Sequence, residues 1–237
     1  MKAKNECHDC RMCESRDASV FHNLEAPAIE ELTSLIVQNK YKENQIVFCE
    51  GNFPLGVYCI QKGKIKLYKT DINGKVHIFS ILKKGDLLGQ SSLFSDRELN
   101  YTAEAMEDAE VCFLEKNKFH RLLKSQPSVV LEILGRMVND LESSQEKAIN
   151  LAYRSVRVRF AELLLTLNKS FGQKSKEHIL LDVQLSREEM AQAMGTTEET
   201  TVRLLTEFKN EGLVEMEGKK ICIKDLPKVE AMTNAEY

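Results

Sequence analysis

No stretch of this sequence is long and apolar enough to span a bilayer, and the N-terminus lacks the apolar centre of a secretion signal. Such a chain is expected in the cytoplasm, away from any membrane. Neither sign of charge dominates: 33 Lys and Arg against 36 Asp and Glu leave a net −3. Any nucleic-acid binding must therefore come from a local surface. Seven cysteines, an odd number, do not make a disulfide scaffold in 237 residues. In a reducing compartment a cluster of them points to metal or redox chemistry instead. Catalytic signatures are missing as well. There is no nucleophile–base constellation, no phosphate-binding glycine loop and no metal-hydrolase motif, and the five histidines are scattered. An enzyme is not expected. What is present, 43% hydrophobic and 29% charged, is an ordinary globular composition at a length that suits two domains.

Residues 1–20 are polar and cysteine-rich and are expected to have little structure unless something ties them down. Ile29, Leu32, Leu35 and Ile36 recur at helical spacing and predict a helix over Ala28–Gln38. From about Gln45 to Leu114 the pattern becomes β-rich. Runs at 46–48, 57–60, 65–68, 76–79 and 111–114 read as strands separated by glycines, and Asn73-Gly74 marks a hairpin. Short strands at this spacing suggest a small sandwich or jelly roll. A long helix follows from about Ser128 to Asn150. Leu131, Leu134, Val138, Leu141 and Ala148 form a narrow stripe, with polar Gln145 filling one slot. A seam of that kind is best used against its own copy in a homodimer; the competing reading packs it on the sandwich.

The C-terminal part carries the most specific signal. Ser186-Arg187-Glu188-Glu189 has the form of a capping box, and Gly195 can take the left-handed turn that a sharp helix–helix junction requires. Thr196-Thr197-Glu198-Glu199 reads as a second capping box, opening a helix to about Asn210. Ala191 supplies the small crossing contact, and Leu204, Leu205 and Phe208 the buried face. Two short strand runs then bracket Glu217-Gly218-Lys219 as a hairpin wing. Helix, glycine turn, helix and wing predict sequence-specific binding of double-stranded DNA. The candidate contacts are Arg187, Thr197, Glu198, Glu199, Val202, Arg203, Lys219 and Lys220. Glu199 and Arg203 stand four apart on one helix face. An arginine there donates in bidentate fashion to guanine, and a glutamate accepts from cytosine. The plain alternative is a surface ion pair. Acids outnumber bases around the motif, so cations are sought in Lys174, Lys176, Lys209 and the Arg154–Arg157–Arg159 cluster, and binding is expected to depend on dimerisation.

This order of parts resembles the CRP/FNR family of bacterial regulators from about Phe21 to Ile223. The matching segments are Gly56 to Gly63, Gly85-Asp86-Leu87-Leu88-Gly89 and Glu198 to Leu205. The resemblance implies an α+β chain: a cyclic-nucleotide-binding-type β jelly roll, a long dimerisation helix and a C-terminal winged helix-turn-helix. The implied division is 1–20 as a cysteine-rich segment, 21–127 as sensor, 128–153 as dimerisation helix and 154–237 as DNA-binding domain. Glu199 and Arg203 fall on the family's base-reading pair, which implies a palindrome with TGA-like half-sites and RNA polymerase as a further partner. Thr201 occupies a slot usually filled by a bulky aliphatic.

Cyclic-AMP binders of this family follow Gly-Asp-x-x-Gly with a Glu for the ribose and an Arg-Ser pair for the phosphate. The pocket residues that correspond here are Gly89, Gln90, Ser91, Tyr101 and Thr102. Gln90 replaces the acid and no arginine precedes Thr102, so a buried phosphate has no charge partner and cAMP is not expected. The cysteines offer another sensor. Cys7, Cys10 and Cys13 form a C-x2-C-x2-C trio, and by resemblance Cys112 aligns with the fourth ligand of the oxygen-sensing branch, which together would hold a 4Fe-4S cluster. The trio can also bind zinc with His8 or Cys112, or no metal at all, with Cys112 a small core residue facing Cys59. Cys49, Cys59 and Cys222 read as core thiols, Cys59 being a reserve ligand. Three functions stay open: a redox-gated regulator, a regulator of the same fold gated by a small ligand other than cAMP or without metal, and an iron-sulfur redox protein.

Overall fold

The computed structural model describes residues 9–174 and 178–234. The chain divides into two compact units between Asp140 and Leu141. The first unit is a β sandwich. After helix α1 (Ala26–Leu35) come strands β1 (Ile36–Tyr41), β2 (Ile46–Phe48), β3 (Gly56–Lys62), β4 (Ile65–Thr70), β5 (Val76–Leu82) and β6 (Leu87–Leu88). A short helix α2 (Gln90–Ser95), β7 (Thr102–Ala105), β8 (Ala109–Glu115) and α3 (Lys116–Ser125) complete it. Two four-stranded sheets form, ordered β1-β8-β3-β6 and β2-β7-β4-β5.

Alternation along these strands sorts side chains to two cores. Ile60, Ile65, Leu67, Leu88, Ala103 and Val111 fill the space between the sheets. Val57, Leu87 and Leu114 point from the first sheet to the other side. There they pack with Ile29 and Leu32 of α1, Phe119 and Leu122 of α3, and Val20, Phe21 and Leu24. Cys59 and Cys112 are direct partners across β3 and β8, and share that second face with Val57 and Leu114.

Helix α1 begins two residues earlier than the periodicity predicts because Pro27 suits its first turn. It also stops at Leu35, since Ile36 is drawn into pairing with Leu114. That pairing makes β1, a strand not read from the sequence; β7 was missed as well, because Thr102–Ala105 lacks a bulky alternating pattern. The described part of the cysteine-rich segment is structured. Two 3-10 turns, Cys10–Met12 and Arg16–Ala18, are held by the Cys10 N–H donating to Thr33 Oγ1 at 3.2 Å and by Arg11 pairing with Glu30. Gly85, at φ +90°, accepts close backbone approach from Ala18, where a Cβ would clash at 2.7 Å.

Helix α4 (Pro127–Tyr153) is continuous across the division between the units. Val129 and Ile133 face the first unit's core. Leu131, 69% exposed, and Leu134, Val138 and Leu141 lie exposed on the chain, with Gln145 and Ala148 continuing the line. The second unit comprises α5 (Val156–Phe171), β9 (Gly172–Lys174), β10 (Ile179–Leu181), α6 (Arg187–Met194), α7 (Glu198–Asn210), β11 (Val214–Glu217), β12 (Lys220–Ile223) and α8 (Leu226–Asn234). Its sheet is ordered β11-β12-β10-β9. Phe160 of α5 meets Phe208 of α7 edge-on at 4.7 Å at the centre of its core.

Candidate nucleic-acid interface and sensor pocket

The helix pair α6–α7 is built by local chemistry. Ser186 Oγ accepts from the Glu189 N–H at 3.0 Å while the Glu189 carboxylate accepts from the Ser186 N–H at 2.9 Å, a complete capping box. Gly195 closes α6 at φ +64°, a conformation that costs an L side chain. The cap of α7 is Thr197, which accepts from Thr200, and not Thr196 as the sequence pattern suggested. The Thr196 N–H is used instead on the Ala191 carbonyl to finish the glycine turn, which moves the cap one residue on. No second capping box forms, because Thr200 and not a glutamate then stands at the third helical position. Thr201 is fully buried and its hydroxyl donates to the Thr197 carbonyl at 3.1 Å, so a polar residue is satisfied in an aliphatic slot.

Ala191, Leu204, Leu205 and Phe208 are buried. Thr197, Glu198, Glu199, Val202 and Arg203 are exposed together along the start and outer face of α7. Arg203 Nε stands 3.8 Å from Glu207, not from Glu199. An exposed pair of that length is weak and leaves the guanidinium available. Lys219 is exposed at the wing tip, whereas Lys220 is engaged by Asp182. Two of the arginines expected to supply phosphate contacts are committed inside the unit. Arg154 pairs with Glu162 at 2.8 Å, and Arg157 pairs with Glu207 and Glu211 over the Phe208 ring. Lys176 lies outside the described residues.

In the first unit Tyr101 closes onto Gly89 and Ser91, whereas Gln90 Oε1 is buried without a hydrogen-bond partner among the described residues and Thr102 turns to Glu50. The Gly89 N–H, at the N-terminus of α2, donates to Tyr101 Oη at 3.2 Å. Ser91 also bonds the Tyr101 hydroxyl, whose ionisation burial opposes. Thr102 Oγ1 accepts from the Glu50 N–H. The Tyr101 ring packs on Phe48 and Phe79 and fills the interior between the sheets.

On the opposite face of the β1-β8-β3-β6 sheet lies a cavity of about 40 Å³ lined by Cys10, Cys13, Cys59 and Cys112. Phe21, Leu32, Val57, Leu87 and Leu114 supply apolar walls, and Arg16 and Gln61 complete the lining. Arg16 Nε is buried without a hydrogen-bond partner among the described residues. The Cys112 thiol donates to Gln61 Oε1 at 3.9 Å, and Cys13 Sγ lies 3.0 Å from Ser15 Oγ. Burial, reinforced by Cys112, Cys13 and Cys10 nearby, pushes the Cys59 thiol far above its ordinary range. Cys7 and His8 lie outside the described residues. Cys59 is the residue the sequence left in reserve, and its register opposite Cys112 is what brings it in. Cys49, expected in the core, is exposed beyond the end of β2. Among the described residues, no helix is long and apolar enough to cross a membrane.

Comparison with known proteins agrees with this geometry. The cyclic nucleotide-binding domain model matches residues 38–126, and the Crp-like helix-turn-helix domain model matches residues 158–232. The cAMP-activated global transcriptional regulator CRP of Salmonella typhimurium is 28% identical over 198 residues, covering 83% of this chain and 94% of the relative. Electron transport regulator A of Shewanella oneidensis is 27% identical over 220 residues, covering 92% and 86%. The structure of a CooA mutant from Carboxydothermus hydrogenoformans superposes with a TM-score of 0.74 at 22% identity, covering 89% of this chain and 91% of that one. A cyclic nucleotide-binding-type β-roll domain and a Crp-like helix-turn-helix domain on one chain define a DNA-binding transcription regulator, not an enzyme. The chain belongs to the CRP/FNR family. An iron-sulfur electron carrier would leave the entire second unit without a role.

Replacing Tyr101 by Phe removes the acceptor that the buried Gly89 N–H uses. The variant is expected to lose about 1–3 kcal/mol, read as a lower urea midpoint with unchanged circular dichroism. An unchanged midpoint would show that water serves the amide equally well.

Proposed function

We propose that this protein is a homodimeric, sequence-specific transcription regulator whose DNA affinity is set by an oxygen- or redox-sensitive iron-sulfur group held at the thiol pocket. The observation that carries this reading is the convergence of Cys10, Cys13, Cys59 and Cys112 on one small, apolar-walled cavity beside Arg16. The donor set fits. Two of the thiols are buried and two half-buried, the Cys59 thiol is held protonated by burial and by the cysteines beside it, and a bound metal is what allows such a set to be deprotonated together. Apolar walls limit water, and the Arg16 guanidinium offsets the negative charge of a tetrathiolate site. Cys59 joins Cys10, Cys13 and Cys112, three of the four expected ligands, while Cys7 lies outside the described residues. A 4Fe-4S cluster bound there would supply reversible, oxygen-dependent loss of the ligands' cross-link. cAMP is not the effector on this reading, because no arginine stands before Thr102 and the Gly89 N–H is already taken by Tyr101 Oη.

The signal leaves the pocket through backbone. Arg136 of α4 donates to the Ala18 carbonyl at 2.6 Å and to the Gly85 carbonyl at 3.2 Å, and Asp86 lies 3.9 Å from its guanidinium. His22 and Asn23 approach Glu132, one helical turn before Arg136. The turn Arg16–Ala18, which lines the pocket, is thus strapped to the helix whose other face carries Leu131, Leu134, Val138 and Leu141. These side chains, continued by Gln145 and Ala148, pack against their copies in the homodimer. Loss of pocket order biases that interface between two arrangements, and only one of them sets the two α7 helices about 34–36 Å apart on successive major-groove turns. Glu199 and Arg203 then read the central bases of TGA-like half-sites in a palindrome. Thr197, Glu198 and Val202 lie beside the flanking bases, while Arg187 and Lys219 approach phosphates and Lys220, held by Asp182, supports the wing. RNA polymerase is the further partner, and the cytoplasm the place of action.

Protein isolated without oxygen is expected to contain iron and inorganic sulfide and to absorb in the visible through thiolate-to-iron transitions. Air should bleach the colour and weaken binding to a TGA-containing palindrome in parallel. A colourless preparation without iron, or one carrying zinc alone, would end the iron-sulfur reading.

Arg136→Ala should retain the iron and the colour but lose the change in DNA affinity on exposure to air. Full retention of that response would remove the strap from the mechanism. Arg203→Ala is expected to lose about 1–3 kcal/mol of binding to the specific site, with non-specific affinity almost unchanged. An equal loss on both DNAs would mark Arg203 as a phosphate contact.

A further inference from the structure

A second group of metal-ligating side chains lies in the DNA-binding unit, outside the thiol pocket. His178, immediately before β10, Glu217 at the end of β11 and Cys222 in β12 place their ligand atoms all within 4.8 Å of one another. Strand register explains the meeting. Cys222 pairs with Leu180 on one side and with Glu215 on the other. Alternation puts His178, two residues before Leu180, and Glu217, two residues after Glu215, on the same face as Cys222. Ile221 and Ile223 point the opposite way, into the core.

The Cys222 thiol donates to Glu217 Oε2 at 3.6 Å. In a tetrahedral site with a metal–sulfur bond of about 2.3 Å and a metal–oxygen bond of about 2.0–2.2 Å, the sulfur–oxygen edge is about 3.5 Å. The thiol and carboxylate therefore already stand at the separation a shared ion requires. The imidazole lies within 4.8 Å of both.

We propose that His178, Glu217 and Cys222 form a binding site for a divalent cation of the zinc class, with its fourth position open to water. A thiolate and an imidazole select a borderline-soft ion over magnesium or calcium, which require oxygen donors. On binding, the Cys222 thiol proton is released to solvent, and the thiolate and the Glu217 carboxylate neutralise the ion's two positive charges. Nothing in the gating mechanism uses this site. Its consequence is mechanical: the ion joins three strands of the wing sheet and fixes the hairpin that carries Lys219.

The test uses the full chain with Cys7, Cys10 and Cys13 replaced by Ser and Cys59 and Cys112 by Ala, so that its outcome is independent of the iron-sulfur reading. Titration with Co²⁺ under reducing, oxygen-free conditions is expected to give one equivalent bound. The spectrum should show a sulfur-to-cobalt charge-transfer band and the visible absorption of a tetrahedral ion. Cys222→Ser should abolish the charge-transfer band. His178→Gln and Glu217→Gln, both at accessible positions, should each weaken Co²⁺ binding at least about tenfold. Absence of the band at one equivalent, or its survival in Cys222→Ser, overturns the proposal. If Cys222→Ser does not fold by circular dichroism, His178→Gln decides, and unchanged Co²⁺ affinity in that variant overturns it equally.

Discussion

A β-strand sends alternate side chains to opposite faces, and in β3 and β8 both faces are covered. Ile60 and Val111 face the interior of the sandwich, while Val57, Cys59, Cys112 and Leu114 face the helices and the N-terminal segment. Every other feature of the first unit depends on this double use. The inner face is closed by Tyr101, which packs on Phe48 and Phe79 and accepts from the Gly89 N–H. The outer face is where a second layer can add chemistry. A residue inserted into either strand would exchange the two faces and remove the thiols from the pocket.

The N-terminal segment is the second layer. Its turns are too short to be stable alone, and their order comes from Val20, Phe21 and Leu24 entering the helix-side core and from polar ties to Thr33 and Glu30. Arg136 ties that order to α4. A guanidinium has donors in a fixed fork, so holding the Ala18 and Gly85 carbonyls at once demands that the segment, the sheet edge and α4 keep one mutual position. Helix α4 accordingly has two apolar faces with separate tasks. Val129 and Ile133 belong to the core, and the line from Leu131 to Leu141 remains exposed on the chain.

The second unit is simpler and more local. Its helix pair is specified by a capping box, a left-handed glycine and a satisfied buried threonine. Its electrostatics are less local. The Arg154 and Arg157 guanidiniums hold α5 to neighbouring acids and an aromatic ring, so the outer face of α7 and the wing carry the exposed cations nearest the reading face.

Much of this was legible in the sequence because it depends on near neighbours. The helix-turn-helix, the wing, most of the strands and the long helix follow from spacing, caps and turn residues within a few positions of one another, where propensity and capping act directly. The cap of α7 was misplaced by one residue because a hydrogen bond from the preceding turn competed for Thr196, and β1 and β7 were missed because their pairing partners, not their own patterns, make them strands. Chain order alone likewise determined that Cys10 and Cys13 lie together and that Glu199 and Arg203 share a helix face. Only the tertiary structure decided that Cys59 and Cys112 join Cys10 and Cys13, that Tyr101 closes the inner pocket, that Arg157 is not available to DNA, and that His178, Glu217 and Cys222 meet. Strand register and side-chain packing bring together residues far apart in the chain, and no local pattern records which distant partner a residue will face.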